Sequence, residues 1–249
     1  MELARSSTPS ASGVVAWGGK LPSMGDFVWS DDRNELTSRL DAWLLLGMHQ
    51  FRLTQGDHWQ TAFDHAPMWN FIVPAGGLSS WCVTGCISPS CDRVGRRFPF
   101  VVAFGVPSWH LSKTVDFVPS LLSQTGALLF NGIRRRWPRE TLASLIQQAF
   151  SGWSTSLRPA EPDTQSQTDA SDILTVLMAD KIDQNQLTTV PNDRFNTLPW
   201  NDVANHLGSH SSTSFWWTNG AGSASLKAFI YGAQPDGALM TWLFGRPST

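Results

Sequence analysis

The sequence predicts an α+β fold: a mixed, largely antiparallel sheet flanked by helices in a sandwich-like α/β/α arrangement. Three observations predict it. Two strand-like runs, Trp69–Val73 and Trp81–Ile87, are joined by PAGGLSS, whose Pro and Gly suit a hairpin connection. Phe98–Val106 is a continuous apolar run of the kind found in a strand buried on both faces. Helical patterns interleave with these strands, but hairpin-linked neighbours favour a helix-covered mixed sheet over a doubly wound parallel one.

Taken in order, the first twelve residues, MELARSSTPSAS, lack the apolar core of a signal peptide and read as a flexible tail. Gly13–Trp17 is a strand, followed by the Gly- and Pro-bearing stretch GGKLPSMGDFVWS. A phosphate loop would need a Gly six residues before Lys20 and a hydroxyl residue after it. Val14 and Leu21 stand there instead, and Pro22 removes an N–H, so the nucleotide reading fails. A helix begins after the polar stretch Asp31–Glu35, where Asp32 and Glu35 resemble a capping box. Leu36, Leu40, Trp43, Leu44, Gly47 and Phe51 then form one stripe on a helix running to about Leu53.

A shorter helix over His58–His65 ends at Ala66-Pro67. After the three strands come helices over Val115–Ile133 and Arg139–Trp153, with Pro138 suited to a helix start. Arg158–Asp172 has no large apolar residue and reads as a linker or disordered loop between a region spanning 13–157 and a C-terminal α/β region, 173–249, packed on it. In the latter, Ile173–Met178 fits strand or helix, Pro199–Leu207 a short helix, Ser214–Thr218 and Leu226–Tyr231 strands, and Asp236–Phe244 a last helix.

The chain has 249 residues, enough for a substantial core, and a net charge of −2 that implies neither a nucleic-acid nor an anionic-membrane partner. No run approaches the roughly 18 apolar residues of a membrane span, so no membrane insertion is expected. Charged residues make up 15%, below the usual share of about 25%. Against this stand 13 Trp, 14 Phe and one Tyr, which suggest an indole-rich core with some protein-binding anchors. Trp29, Trp109 and Trp137 are candidate anchors. Three cysteines, Cys82, Cys86 and Cys91, fit reduced thiols; the first two share a strand face about 13 Å apart, too far for a bridge or a common metal.

Tests for chemistry leave no enzyme, metal or cofactor signature. Cys91 stands near Arg93, Arg96 and Arg97, which favour a thiolate, but no histidine stands in a recognisable motif beside it, and a turn residue is the simpler reading. His206 and His210 lack the Glu of a metalloprotease helix. His58 and His65, near Asp57 and Asp64, fit polar helix faces better than a metal site. Arg134–Arg139 (RRRWPR) reads first as a solvated helix end.

Two loops stand out instead: Lys20–Asp26 and Ser88–Arg97. Gly25 and Gly95 permit positive φ, Pro22 and Pro89 stiffen the turns, and Asp26 and Asp92 can cap nearby N–H groups. Lys20 can pair with Asp92, or Asp26 with Arg93 or Arg96, locking the loops together. The candidate constellation is Lys20, Ser23, Asp26, Ser90, Asp92, Arg93, Gly95 and Arg96, either rigid connectors or a polar surface that a partner reads.

These residues carry a resemblance. WGGKLPSMGDFV (17–28) resembles the opening motif of the TagF family, accessory proteins of bacterial type VI secretion. LDAWL (40–44), APMWNF (66–71), SPSCDRVGRRFP (88–99) and Trp216–Thr218 strengthen it in the same order, over roughly residues 13 to 245. Gly18 stands where an aromatic is usual, Cys91 where Val is common and Phe100 where Leu is common. The resemblance implies a cytoplasmic, non-enzymatic, post-translational repressor that engages the forkhead-associated scaffold protein of the secretion machine. The alternative is a small-anion-binding protein or enzyme using Lys20, Asp26, Asp92, Arg93 and Arg96.

Overall fold

The computed structural model describes residues 13–31, 34–106, 111–156, 195–196, 213–218 and 227–245. Its strands are β1 (Val14–Lys20), β2 (Phe27–Trp29), β3 (Trp69–Val73), β4 (Cys82–Ser88), β5 (Phe100–Val106), β6 (Phe195–Asn196), β7 (Ser214–Trp217) and β8 (Ala228–Tyr231). They form one sheet in the order β2-β1-β5-β4-β3-β7-β8-β6, and every pairing is antiparallel. The helices are α1 (Glu35–Gln55), α2 (Trp59–Asp64), α3 (Leu111–Arg134), α4 (Arg139–Ser156) and α5 (Gly237–Phe244). The predicted α+β class holds. The predicted linker at 158–172, the segments Ile173–Met178 and Pro199–Leu207, His206, His210 and Trp109 lie outside the described residues.

The two-residue period of the strands sorts their side chains onto two cores. Val101 and Ala103 of β5, Val83 and Ile87 of β4 and Phe71 of β3 face α1, α2 and α5. The alternating residues Phe100, Val102 and Phe104, Cys82 and Cys86, and Ile72 face α3 and α4. Cys82 and Cys86 thus share a face, as the spacing requires, and burial pushes the Cys82 thiol up to about 12 and Cys86 higher still. The central strands β3, β4 and β5 are buried almost throughout, which is why they read as apolar runs rather than alternating ones.

Helix α1 buries the predicted stripe together with Thr37 and Met48. Its cap is Asn34 rather than Asp32: the Asn34 side chain accepts the Thr37 N–H at 2.9 Å. Indole N–H groups then fasten α5 to the rest. Trp43 donates to the Asp236 carbonyl at 3.0 Å and Trp69 to that of Leu243 at 2.8 Å. Asp236 caps α5 through the Leu239 N–H and accepts the Tyr231 hydroxyl. The tryptophans are mostly packing residues. Trp17, Trp43, Trp69, Trp153 and Trp216 are buried, and Trp29 and Trp137, candidate anchors by sequence, are partly buried against the two cores.

Candidate functional site: two loops fastened on one carboxylate

The sequence places Gly18, Gly19 and Lys20 in a loop, but they continue β1, which pairs with β2 as Gly18↔Trp29, Gly19↔Val28 and Lys20↔Phe27. The glycines are there for close approach. A Cβ on Gly18 would lie 2.1 Å from the Trp29 ring, and one on Gly19, whose φ is +128, would lie 2.0 Å from the Pro99 carbonyl oxygen. The true connection is the short turn from Leu21 to Asp26, closed by the Met24 N–H on the Leu21 carbonyl at 2.9 Å. The second loop joins β4 to β5. There Asp92 Oδ1 accepts the N–H groups of Val94 at 3.1 Å and Arg96 at 2.9 Å, and Gly95 takes the left-handed φ of +84 that the turn demands.

Asp92 is the centre of the assembly. Its side chain is fully buried, and its Oδ2 accepts Lys20 Nζ at 2.9 Å and Arg96 Nε at 2.6 Å. Four donors therefore saturate one carboxylate. Burial alone would push its pKa up. The hydrogen bonds from Lys20 and from the Arg96 backbone and guanidinium, with the Lys20 charge, outweigh that and hold the carboxyl well below the usual range. The Lys20 side chain, only 8% exposed, also lies with its ammonium 4.9 Å from the Phe27 ring centroid.

The remaining bonds lace loop to loop. Arg96 Nη2 donates to the Gly25 carbonyl at 2.6 Å, the Arg93 N–H to the Met24 carbonyl at 2.7 Å, and Ser90 Oγ to the Lys20 carbonyl at 2.7 Å. Ser23 Oγ donates to the Trp137 carbonyl at 2.8 Å, tying the first loop to the α3–α4 turn.

The structure thus brings Lys20, Ser90, Asp92 and Arg96 together, with Gly95 shaping the turn and Ser23 anchoring its rear. Three expectations are corrected. Asp26 accepts its neighbour Phe27's N–H at 2.8 Å and is bonded to neither Arg93 nor Arg96; Arg96 is drawn instead to the more deeply buried Asp92. The positive φ that Gly25 permits is not used, since the turn is closed one residue earlier, at Met24. Arg93 enters through its backbone while its side chain stays exposed. Nor do the arginines activate Cys91: burial, then the Asp92 charge, raise its pKa against the lowering by Arg136 and Arg97. Among the described residues, no group of His, Cys, Asp and Glu is arranged to hold a metal.

Two features escaped the sequence. Arg97 forms a bidentate pair with Asp64 of α2, both contacts 2.7 Å, and Arg52 of α1 stacks 4.5 Å over the Trp59 ring while donating to the Arg97 carbonyl at 3.3 Å. Both link residues more than 30 positions apart or a helix to the element beyond it, and no local pattern announces either. Of these residues Arg52, Trp59 and Arg97, together with Lys20, Phe27, Leu45, Val94 and Arg96, line an open groove of about 520 Å³ between the second loop, α1 and α2.

The comparisons with known proteins concern this same framework. PA0076 from Pseudomonas aeruginosa PAO1, known from a crystal structure at 2.05 Å resolution, is 26% identical, with a TM-score of 0.61 over 95% of this chain and 96% of that one. No curated protein sequence matches significantly. The family model for the TagF N-terminal domain, type VI secretion system-associated, matches residues 16–149, which span β1 to α4 and include both loops. This chain belongs to the TagF family of type VI secretion-associated proteins.

Proposed function

We propose that this chain is a cytoplasmic, non-enzymatic repressor of type VI secretion, acting after translation by binding the forkhead-associated scaffold protein of the machine. The observation that carries the reading is the family match over residues 16–149. The loop geometry supports it. Asp92 and Lys20, the most buried charged side chains of the constellation, are engaged with each other and with Arg96, so they hold loops rather than stand ready for a substrate. What the second loop and the adjoining start of β2 present outward is surface open to contact, including the exposed Val94 and Phe27. A small-anion site built on the same cations is favoured less, because Asp92 already neutralises Lys20 and Arg96. Among the described residues, no helix is long and apolar enough to cross a membrane.

The test is calorimetric titration of the purified chain with the forkhead-associated scaffold from the same genome, alongside secretion by a strain lacking the gene. Saturable binding and raised secretion are expected. No binding, or unchanged secretion, overturns the reading.

A further inference from the structure

The groove beside the loops combines two features. Four cations line it, Lys20, Arg52, Arg96 and Arg97, and among the described residues no aspartate or glutamate does. Two of the four are held by Asp92 and one by Asp64, whereas Arg52 pairs with no carboxylate among the described residues. Its guanidinium is nevertheless fixed in place by the Trp59 ring and the Arg97 carbonyl. At the same time three of the large hydrophobic side chains the protein leaves exposed, Phe27, Leu45 and Val94 (the last 71% exposed), lie on its walls. A preordered, unpaired arginine surrounded by displayed apolar groups is how an interface hot spot is composed.

We infer that this groove receives an acidic, apolar-bearing segment of a partner protein: one carboxylate pairs with Arg52 while neighbouring aliphatic side chains cover Phe27, Leu45 and Val94. The inference rests on the reading of this chain as a protein-binding regulator and names the chemistry of the bound segment. Charge complementarity selects the acid, since four cations face two aspartates. The apolar walls select a peptide over a free phosphate, which would leave them in water. The open shape also suits a chain segment lying along the surface rather than an enclosed small molecule.

The test uses the full chain and two fluorescein-labelled helical peptides, one of Leu and Glu in amphipathic spacing and one with Gln in place of Glu, read by anisotropy. The Leu–Glu peptide is expected to bind about tenfold tighter, with an advantage that shrinks as salt rises. Arg52→Glu and Val94→Asp are each expected to remove about that factor. Both side chains are exposed, so the variants keep the wild-type melting temperature. Arg134→Glu, at the end of α3, leaves binding unchanged. Equal binding of the two peptides, or an Arg52→Glu variant that binds the Leu–Glu peptide as wild type does, overturns the inference.

The same variants titrated with the forkhead-associated scaffold separate the two claims. Wild-type binding that survives both Arg52→Glu and Val94→Asp overturns the groove and leaves the scaffold as partner. Selective peptide binding in the groove with no scaffold binding upholds the groove and overturns the choice of partner.

Discussion

Two clusters of charge border the same groove and behave as opposites. Around Asp92, the carboxylate and the Lys20 ammonium are buried, Arg96 reaches in from the surface, and each carboxylate oxygen has two donors. Around Arg52, the guanidinium is exposed, stacked on an indole and without a carboxylate among the described residues. The residue types are the same. What separates them is solvent: a buried carboxylate must be fully bonded or it destabilises the fold, whereas an exposed arginine keeps its capacity for a partner. The first cluster fastens and the second presents.

The comparison breaks most readily at its centre. Asp92→Ala leaves the buried Lys20 ammonium and two loop N–H groups unpaired, and is expected to cost about 3–5 kcal/mol. Urea unfolding checks it; a loss below about 1 kcal/mol would mean the loops are held otherwise. Gly19→Ala combines a left-handed φ with a Cβ driven onto the Pro99 carbonyl. A loss of about 2–4 kcal/mol is expected, read as a fall in melting temperature.

The pH dependence sharpens the same point. The folded Asp92 pKa lies below its unfolded value of about 3.9, so its contribution is fully present above that value and is lost as pH falls through the folded one. In that window the unfolded chain binds the extra proton. Between pH 6 and pH 3 the wild type should therefore lose more melting temperature than Asp92→Asn, and equal losses would contradict the assignment. The exposed Arg97–Asp64 pair lies at the other end of the scale. Asp64→Ala should cost no more than about 1 kcal/mol in urea, salt screening included. Arg136, at the end of α3 with φ +53, is the smallest effect and opposite in sign: Arg136→Gly should stabilise by about 0.5–1 kcal/mol.

Much of this was legible in the sequence wherever the signal was local. The hairpin from β3 to β4 followed from PAGGLSS, the α1 stripe from its spacing, and the α5 start from Asp236. The Lys20–Asp92 pair was one of the alternatives that two loops rich in the same residue types offered. What was not legible depended on distant atoms. Gly18 and Gly19 look like loop glycines until Trp29 and Pro99 are seen to press against them. Arg96 chose Asp92 over Asp26 because burial, which no local pattern encodes, made the former carboxylate the needier acceptor. Asn34 capped α1 although Asp32 and Glu35 matched the box. Of the indoles that looked like anchors, Trp29 and Trp137 packed against the cores, and among the described residues the displayed large apolar groups proved to be Phe27, Leu45, Leu46, Leu53, Val94 and Phe130.

The most direct test of the division between fastening and presenting clusters is a pair of urea titrations, Asp92→Asn and Arg52→Gln, run side by side. Asp92→Asn is expected to lose about 3 kcal/mol or more while Arg52→Gln stays within about 0.5 kcal/mol of wild type. Losses of similar size in the two variants would contradict it, because Arg52 would then be as structural as Asp92.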